Sequence, residues 1–124
     1  MSYTTIRLLI ALAAKYNLTI HQMDVKSAYL NGEIDTDIYI EQPQLFEERN
    51  KAQWVCKLKK GLYGLKQAGR IWHETLHKYL LSKEYTQLES EPSVYIKKLD
   101  QKILVIAVYV NDLQIFSNNI KILE

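Results

Sequence analysis

An uninterrupted apolar run, ILVIAVYV, occupies residues 103–110 and is followed at once by two polar residues, Asn111 and Asp112. A run this rich in Ile and Val is typical of a strand covered on both faces, so we predict a central strand of a sheet there. The preceding SVYIKK predicts a partner strand, joined through a turn around residues 99–102. Asn111 and Asp112 predict a second hairpin turn before LQIFS. A chain with this segment is expected to form a β-sheet around it.

Two other segments have the spacing of amphipathic helices. Ile6, Leu9 and Ala13 recur at helical intervals near the N-terminus, and Thr4 or Thr5 is available as a cap. Residues 66–83 show the same periodicity, and a glycine at position 69 weakens the first turns.

Three shorter stretches predict further strands, at residues 18–24, 37–43 and 54–58. Asn31 and Gly32 mark a turn after the first of them. Strands and helices do not alternate strictly along the chain. The sequence therefore predicts an α+β fold, in which an antiparallel sheet is backed by helices.

The 124 residues suit one domain with a hydrophobic core, and 48% hydrophobic with 24% charged residues is typical of a globular chain. Cys56 is the only cysteine, which excludes an internal disulfide and a Cys-x-x-Cys metal site. We predict that Cys56 is buried and that the protein is intracellular, in the cytoplasm or the nucleus. Residues 8–14 are apolar but far shorter than the roughly 20 residues that cross a bilayer, so we expect no membrane partner.

Charged side chains are sorted along the chain, although the net charge is only +2. One stretch is acidic and contains Glu33, Asp35, Asp37, Glu41, Glu47 and Glu48. The next is basic and contains Lys57, Lys59, Lys60, Lys66 and Arg70. Two interpretations stay open, a pair of solvated surfaces or a basic strip that meets the phosphates of a nucleic acid.

Three pieces of the sequence carry residues suited to phosphoryl chemistry. Asp24 ends a predicted strand, Asn111 and Asp112 follow the central strand, and residues 57–70 combine glycines with basic side chains. Carboxylates at the ends of neighbouring strands can converge on two divalent metal ions about 3.5–4 Å apart, as in phosphoryl transfer. The alternative is ordinary turn chemistry, because Asn and Asp are common turn residues.

Four longer strings carry a resemblance to a known family. They are HQMDVKSAYLNGEI, IYIEQP, WVCKLKKGLYGLKQAGRIWH and VYVNDLQIF. In this order, they resemble the reverse transcriptase (RNA-dependent DNA polymerase) of Ty1/copia-type LTR retrotransposons, which is part of a Pol polyprotein. The resemblance implies a right-hand polymerase, here the palm with part of the fingers in residues 1–124. The thumb, the RNase H region and the N-terminal fingers of the family would be absent.

The resemblance also implies a metal site. Asp24 and Asp112 match catalytic aspartates that bind Mg²⁺ or Mn²⁺ in the family, with the Val25 backbone carbonyl beside them. Tyr29 matches the aromatic residue under the incoming sugar that excludes a 2′-hydroxyl. A role for Tyr29 in simple core packing is the alternative.

Further residues would contact the substrates of the family, a dNTP and an RNA or DNA primer–template. The nucleotide-binding residues would be Ser27, Ala28, Tyr29, Gly64 and Lys66. The residues facing nucleic acid would be Gln67, Arg70 and Tyr109. Glycine at 64 would permit close backbone approach. For Lys66, Gln67 and Arg70, the alternative is the polar face of an amphipathic helix.

The chain departs from the family at two positions. Asn111 stands where the family motif YVDD has its first aspartate, a principal metal ligand, and Asp112 keeps the second. An amide oxygen can ligate magnesium but carries no net charge, so Asp24 and Asp112 alone would face the four positive charges of two metals. Each loss of about 1.36 kcal/mol in transition-state binding lowers a rate tenfold. Gly69 stands where the family usually has proline, which would loosen the start of that helix.

Three functions compete on these grounds. The first is RNA-templated DNA synthesis by two-metal nucleotidyl transfer. The second is a remnant or domesticated copy, catalytically silent alone, that keeps an affinity for nucleic acid. The third is a protein-interaction domain whose exposed sheet edge pairs with a partner. The asparagine at 111 and the short length favour an impaired or inactive copy, which would belong to a Pol polyprotein if expressed in full.

Overall fold

The computed structural model describes residues 1–119, which divide into two compact units. Unit 1 comprises residues 1–26 and the described part of the chain from residue 76 onward, and unit 2 comprises residues 27–75. The elements in chain order are α1 (Tyr3–Tyr16), β1 (Thr19–Asp24), a 3₁₀ helix (Ala28–Asn31), β2 (Tyr39–Glu41), β3 (Val55–Lys57), α2 (Ala68–Ser82), β4 (Thr86–Gln87), β5 (Val94–Leu99), β6 (Lys102–Tyr109) and β7 (Asp112–Ser117). None of the helices within residues 1–119 is long and apolar enough to cross a membrane.

Unit 1 contains a five-stranded sheet in the order β1-β7-β6-β5-β4. All four pairings are antiparallel. Strand β6 lies at the centre, and its residues 104–108 are all buried, which confirms the central strand predicted from the apolar run. The α+β prediction is confirmed as an antiparallel sheet accompanied by two helices. The two-residue strand β4 was not predicted.

The two faces of the sheet are separated by the alternation of side chains along β6. Val105 and Ala107 share a buried cluster with Phe116 of β7 and Ala13 of α1, so α1 covers this face. Leu104, Ile106 and Val108 point to the opposite face. There Tyr95, which pairs with Ile106, hydrogen-bonds His77 of α2 at 3.0 Å. Because both faces are covered, the strand needs apolar side chains at every position.

The N-cap of helix α1 lies two or three residues before its predicted position. The Ser2 side chain, not Thr4 or Thr5, is the N-cap and accepts a hydrogen bond from the Thr5 N–H group. At the other end, Asn17 adopts a left-handed conformation and its N–H group donates to the Ala13 carbonyl. The predicted cap was wrong because serine at position 2 offers the same hydroxyl oxygen one residue before the helix.

Unit 2 contains the two-stranded antiparallel sheet of β2 and β3 and the 3₁₀ helix. All three residues of β3 are exposed, including Cys56, so the predicted burial of this cysteine was wrong. The cause is the shortness of the hairpin, which pairs only three residues on each strand. Helix α2 begins at Ala68 rather than at residue 66 and extends to Ser82, so unit 2 contains its first turns.

Candidate functional site

Two carboxylates, Asp24 and Asp112, lie directly opposite each other at one end of the sheet in unit 1. Strand β1 ends at Asp24, β7 begins at Asp112, and the antiparallel register pairs the two residues. The register between β6 and β7 pairs Asp112 with Tyr109. Directly opposed residues of neighbouring strands project from the same face, with their Cβ atoms about 4.5–5.5 Å apart. Three predicted site residues therefore share one face.

The turn between β6 and β7 consists of Val110 and Asn111, because Asp112 already belongs to β7. The predicted turn, Asn111 with Asp112, was therefore wrong by one residue. Val110 has a φ of 56°, a left-handed conformation that β-branched residues rarely adopt. Hairpin turns with a positive φ at this first position usually have glycine there. Such backbone strain is concentrated at functional sites.

Asn111 joins this turn to the end of β1. Its side-chain Nδ2 atom donates a hydrogen bond to Oδ1 of Asp24. Its backbone carbonyl accepts a hydrogen bond from the Val25 N–H group at 2.9 Å. The turn and the strand end are thus connected through both a side chain and the main chain.

The side chains around the turn determine whether a metal could be held. Among residues 1–119, no three His, Cys, Asp or Glu side chains come together to hold a metal ion. Magnesium often takes only one or two protein carboxylates, so Asp24 and Asp112 could contribute to one ion. Asn111, however, directs an N–H donor at Asp24, and a donor cannot ligate a cation. This arrangement of donors does not fit a two-metal centre.

Tyr29 lies in unit 2, on the 3₁₀ helix. Ser27 precedes this helix with a left-handed φ of 53°, and Ala28 is buried. The Tyr29 ring is half-buried and its centroid lies 6.1 Å from that of Tyr63, which is 90% exposed. Tyr29 is therefore a partly exposed ring next to the GLYGLK segment and not a fully buried core residue.

Two positions of the GLYGLK segment, Gly61 and Gly64, require glycine for different structural reasons. Gly64 has a φ of 93°, and a Cβ atom there would meet nothing within 4 Å, so glycine is required for its conformation. Close backbone approach occurs instead at Gly61, where a Cβ atom would lie 2.7 Å from the Tyr29 carbonyl oxygen. The Gly61 N–H group also donates to the Gly32 carbonyl at 2.9 Å. Gly61 thereby fixes the backbone that carries Tyr29, a role that sequence reasoning missed; its position in the KKGLYG string was the available signal.

The acidic and basic stretches of unit 2 partly neutralise each other. Lys57 pairs with Asp37 at 2.6 Å, and Arg70 lies 2.7 Å from Glu74 and 3.6 Å from Asp35. The Lys57 side chain holds the pKa of Asp37 below its ordinary value through a hydrogen bond and charge attraction. Hydrogen bonding and charge attraction to Glu74, and then charge attraction to Asp35, raise the pKa of Arg70.

The remaining basic residues of the stretch are Lys59, Lys60 and Lys66. They are exposed, and none of them forms an ion pair within residues 1–119. Gln67 directly precedes α2, and its carbonyl accepts a hydrogen bond from the Ile71 N–H group. The structure thus brings Asp24, Val25, Tyr109, Asn111 and Asp112 together in unit 1 and places the other predicted residues, Ser27, Ala28, Tyr29, Gly64, Lys66, Gln67 and Arg70, in unit 2.

A family model and individual relatives both indicate that the chain is similar to reverse transcriptases of Pol polyproteins. The sequence model of one family, described as reverse transcriptase (RNA-dependent DNA polymerase), matches residues 1–124. The retrovirus-related Pol polyprotein from transposon TNT 1-94 of Nicotiana tabacum is 42% identical over 90% of this chain and 8% of the relative. The corresponding polyprotein from transposon RE1 of Arabidopsis thaliana is 37% identical over 94% of this chain and 8% of the relative.

A shorter relative is the putative transposon Ty5-1 protein of Saccharomyces cerevisiae, 35% identical over 82% of this chain and 33% of its own length. The chain spans only about 8% of the two plant polyproteins. No solved structure gives a significant match.

Proposed function

Since the chain belongs to the reverse transcriptase (RNA-dependent DNA polymerase) family found in copia-type Pol polyproteins, we propose that it is the palm with part of the fingers of such an enzyme. In this proposal the chain binds a primer–template but does not synthesise DNA by itself. An intracellular location stays a prediction, as does the expectation of Mg²⁺ or Mn²⁺ as the family cofactor.

One observation carries the assignment of the palm. Asp24 and Asp112 are far apart in the sequence, yet the register of β1 and β7 sets them directly opposite each other. Carboxylates brought together at one end of an antiparallel sheet are the type of ligand that metal-assisted phosphoryl transfer uses, and backbone strain such as that of the neighbouring hairpin turn clusters at functional sites. The two strings that resemble the family most directly, MDVKSAYLNG and YVND, contribute these two residues.

The residues around Asp24 also support the proposal that the chain does not catalyse DNA synthesis. Asn111 replaces a carboxylate of the family motif, and its amide N–H group points at Asp24. Electrostatic stabilisation of the reacting phosphate is the largest contribution that such a site makes. With two carboxylates in place of three, and one of them occupied by a hydrogen-bond donor, the site has neither the charge nor the free oxygen atoms for two cations.

Nucleic-acid binding rests on the unpaired lysines of unit 2, Lys59, Lys60 and Lys66. Each lysine that neutralises a phosphate releases condensed counterions, so the affinity falls with salt concentration. Three such contacts predict a slope of about −3 for the logarithm of the association constant against the logarithm of salt concentration.

Titration of a labelled primer–template at several salt concentrations tests this part. Lys66→Gln is expected to reduce the magnitude of the slope by about 1. Lys57→Gln is the matched control, since Lys57 is already paired with Asp37 and should change the slope less. Binding that does not depend on salt would refute the nucleic-acid role. It would favour the interaction function, for which β1 offers an exposed edge strand.

A primer-extension assay with Mg²⁺ or Mn²⁺ tests the catalytic part. We expect no template-dependent extension by this chain. Extension that disappears in Asp24→Ala would show that the chain is an active polymerase and would overturn the proposal. Asn111→Asp in the same assay examines whether the missing carboxylate alone accounts for the loss.

A further inference from the structure

The hydrogen bond between Asn111 and Asp24 joins residues 87 positions apart in the sequence. Together with the bond from the Val25 N–H group to the Asn111 carbonyl, it holds the β6–β7 turn against the end of β1. Strand β1 is an edge strand of the sheet and pairs only with β7 among the described strands. These two bonds are therefore well placed to keep the end of that edge strand from fraying.

The hydrogen bond from Asn111 also offsets part of the repulsion between Asp24 and Asp112. Like charges directly opposite each other in neighbouring strands destabilise a sheet, and Asp24 faces Asp112 in this way. Neither carboxylate forms an ion pair with a lysine or arginine within residues 1–119. The positive end of the Asn111 amide dipole is the partner that the structure provides for Asp24.

A divalent cation would have to approach the same carboxylate. The amide hydrogens of Asn111 carry partial positive charge, so they repel a cation placed next to Asp24. Binding would require the amide to rotate away, which would break its bond to Asp24. A carboxylate at position 111 has the opposite effect, because it repels Asp24 when no cation is present and attracts the cation when one is.

We propose that the Asn111 amide takes the place of a divalent cation, stabilising the Asp24–Asp112 strand pair without metal and weakening cation binding there. This inference rests on the proposed assignment of Asp24 and Asp112 as the metal-binding carboxylates of the family. It makes the turn a structural connection in this chain, whereas the resemblance implies a cofactor site at this position.

Thermal unfolding of the whole chain, with EDTA or with about 10 mM Mn²⁺, tests the inference. The unaltered protein is expected to show no metal-dependent change in its unfolding temperature. Asn111→Asp should unfold about 3–6 °C lower in EDTA and recover by a similar amount in Mn²⁺. Asn111→Ala should also lose stability in EDTA, and it should recover less in Mn²⁺ than Asn111→Asp, because it removes the opposing amide but supplies no third carboxylate.

Gln101→Glu is the matched control. Gln101 lies in the two-residue turn between β5 and β6, next to Asp100, so the substitution adds the same charge to another turn of the same sheet. It is expected to show no response to Mn²⁺. Paramagnetic broadening of the Val25 and Leu113 amide signals by Mn²⁺ in Asn111→Asp, but not in the unaltered protein, would locate the ion at this turn even if the variant is only partly folded.

Two results would overturn the inference. One is equal stabilisation of the unaltered protein and Asn111→Asp by Mn²⁺, which would show that the amide does not oppose the cation. The other is an absence of response in Asn111→Asp, which would show that residue 111 does not control cation binding. Since these measurements contain no nucleic acid, their failure is distinct from a failure of primer–template binding.

Discussion

Val110 and Asn111 form the two-residue turn beside the paired carboxylates, and Val110 is an unusual residue for its position. A left-handed φ at a residue other than glycine costs of order 1–3 kcal/mol. The Val110 side chain is 49% exposed, so burial offsets only part of this cost. The hydrogen bond that the neighbouring Asn111 side-chain amide donates to Asp24 helps to hold the turn in a conformation that its first residue disfavours.

Replacement of Val110 by glycine should therefore stabilise the protein. We expect Val110→Gly to raise the free energy of unfolding by about 0.5–1 kcal/mol, because relief of strain exceeds the larger chain entropy of glycine in the unfolded state. Urea denaturation measures the difference. Asp100→Gly is the control at the β5–β6 turn, where φ is 54°, and it should gain less because aspartate tolerates this conformation better than valine. A loss of stability in Val110→Gly would contradict the strain.

Glu91 is a single carboxylate that stabilises the start of α1. Its Oε2 atom accepts hydrogen bonds from the Thr5 hydroxyl at 2.6 Å and from the Ser2 N–H group at 3.3 Å. These bonds, that from Thr5 foremost, lower the pKa of Glu91 from 4.5 to about 2. The negative charge also lies near the positive end of the helix dipole.

The stability contributed by Glu91 should depend on pH. A folded-state pKa below the unfolded value means that the contribution is complete above pH 4.5 and is lost as the pH falls towards 2. Glu91→Gln should therefore unfold at a lower temperature than the parent at pH 7, and the difference should shrink as the pH falls through this range. Glu89→Gln, at an exposed position two residues away, is the control and should show no such convergence.

The first turn of helix α2 is weakened by a glycine. Gly69 is its second residue, and a Cβ atom there would meet nothing within 4 Å. Glycine therefore has no packing role at this position, and its backbone entropy weakens the helix start. The structure begins the helix at Ala68, two residues after the predicted start, which agrees with a weak N-terminal turn.

Gly69→Ala should raise the free energy of unfolding by about 0.5–1 kcal/mol, measured by urea denaturation. Gly69→Pro should behave differently, because proline disfavours a helical conformation of the residue before it, here Ala68. It should move the helix start to residue 69, visible as the loss of the helical chemical shift of Ala68. Gly64→Ala, at a φ of 93°, serves as the opposite control and should destabilise. An equal loss in Gly69→Ala would show that glycine is needed there.

Across the whole molecule, the buried residues are distributed unevenly between the two units. Unit 1 contains the five-stranded sheet and most of the buried hydrophobic side chains. Unit 2 contributes four of the buried hydrophobic residues, Ala28, Ala68, Ile71 and Trp72. Its two strands pair only three residues each. Local opening is easiest where few apolar side chains are buried.

Native-state hydrogen exchange should therefore separate the two units. Amides of β6 and β7 are expected to exchange roughly a hundredfold more slowly than those of β2 and β3, after correction for intrinsic rates. The β5–β6 pairs, which also lie within the five-stranded sheet, provide the internal reference for slow exchange. Equal protection of both sets of strands would mean that the units open together.

Much of the fold could be predicted because its signals are local. The ILVIAVYV run predicts the central strand, since a strand with two covered faces needs apolar residues at successive positions. Ile6, Leu9 and Ala13 predict α1 through the helical period, and four ordered strings identify the family. Two of the wrong predictions concern single residues. Ser2, which precedes the predicted caps, is the N-cap of α1, and Cys56 is exposed because no other layer of the described residues covers its short hairpin.

The candidate site, like the fold, could be predicted from the sequence only in part. The amino-acid sequence alone identifies Asp24 and Asp112 as candidate ligands and Asn111 as the departure from the family motif. Only the pairing of β1 with β7 sets the two carboxylates opposite each other and directs the Asn111 amide at Asp24. The physical reason is that a hydrogen bond between residues 87 positions apart depends on strand register, and register is determined by the packing of the whole sheet.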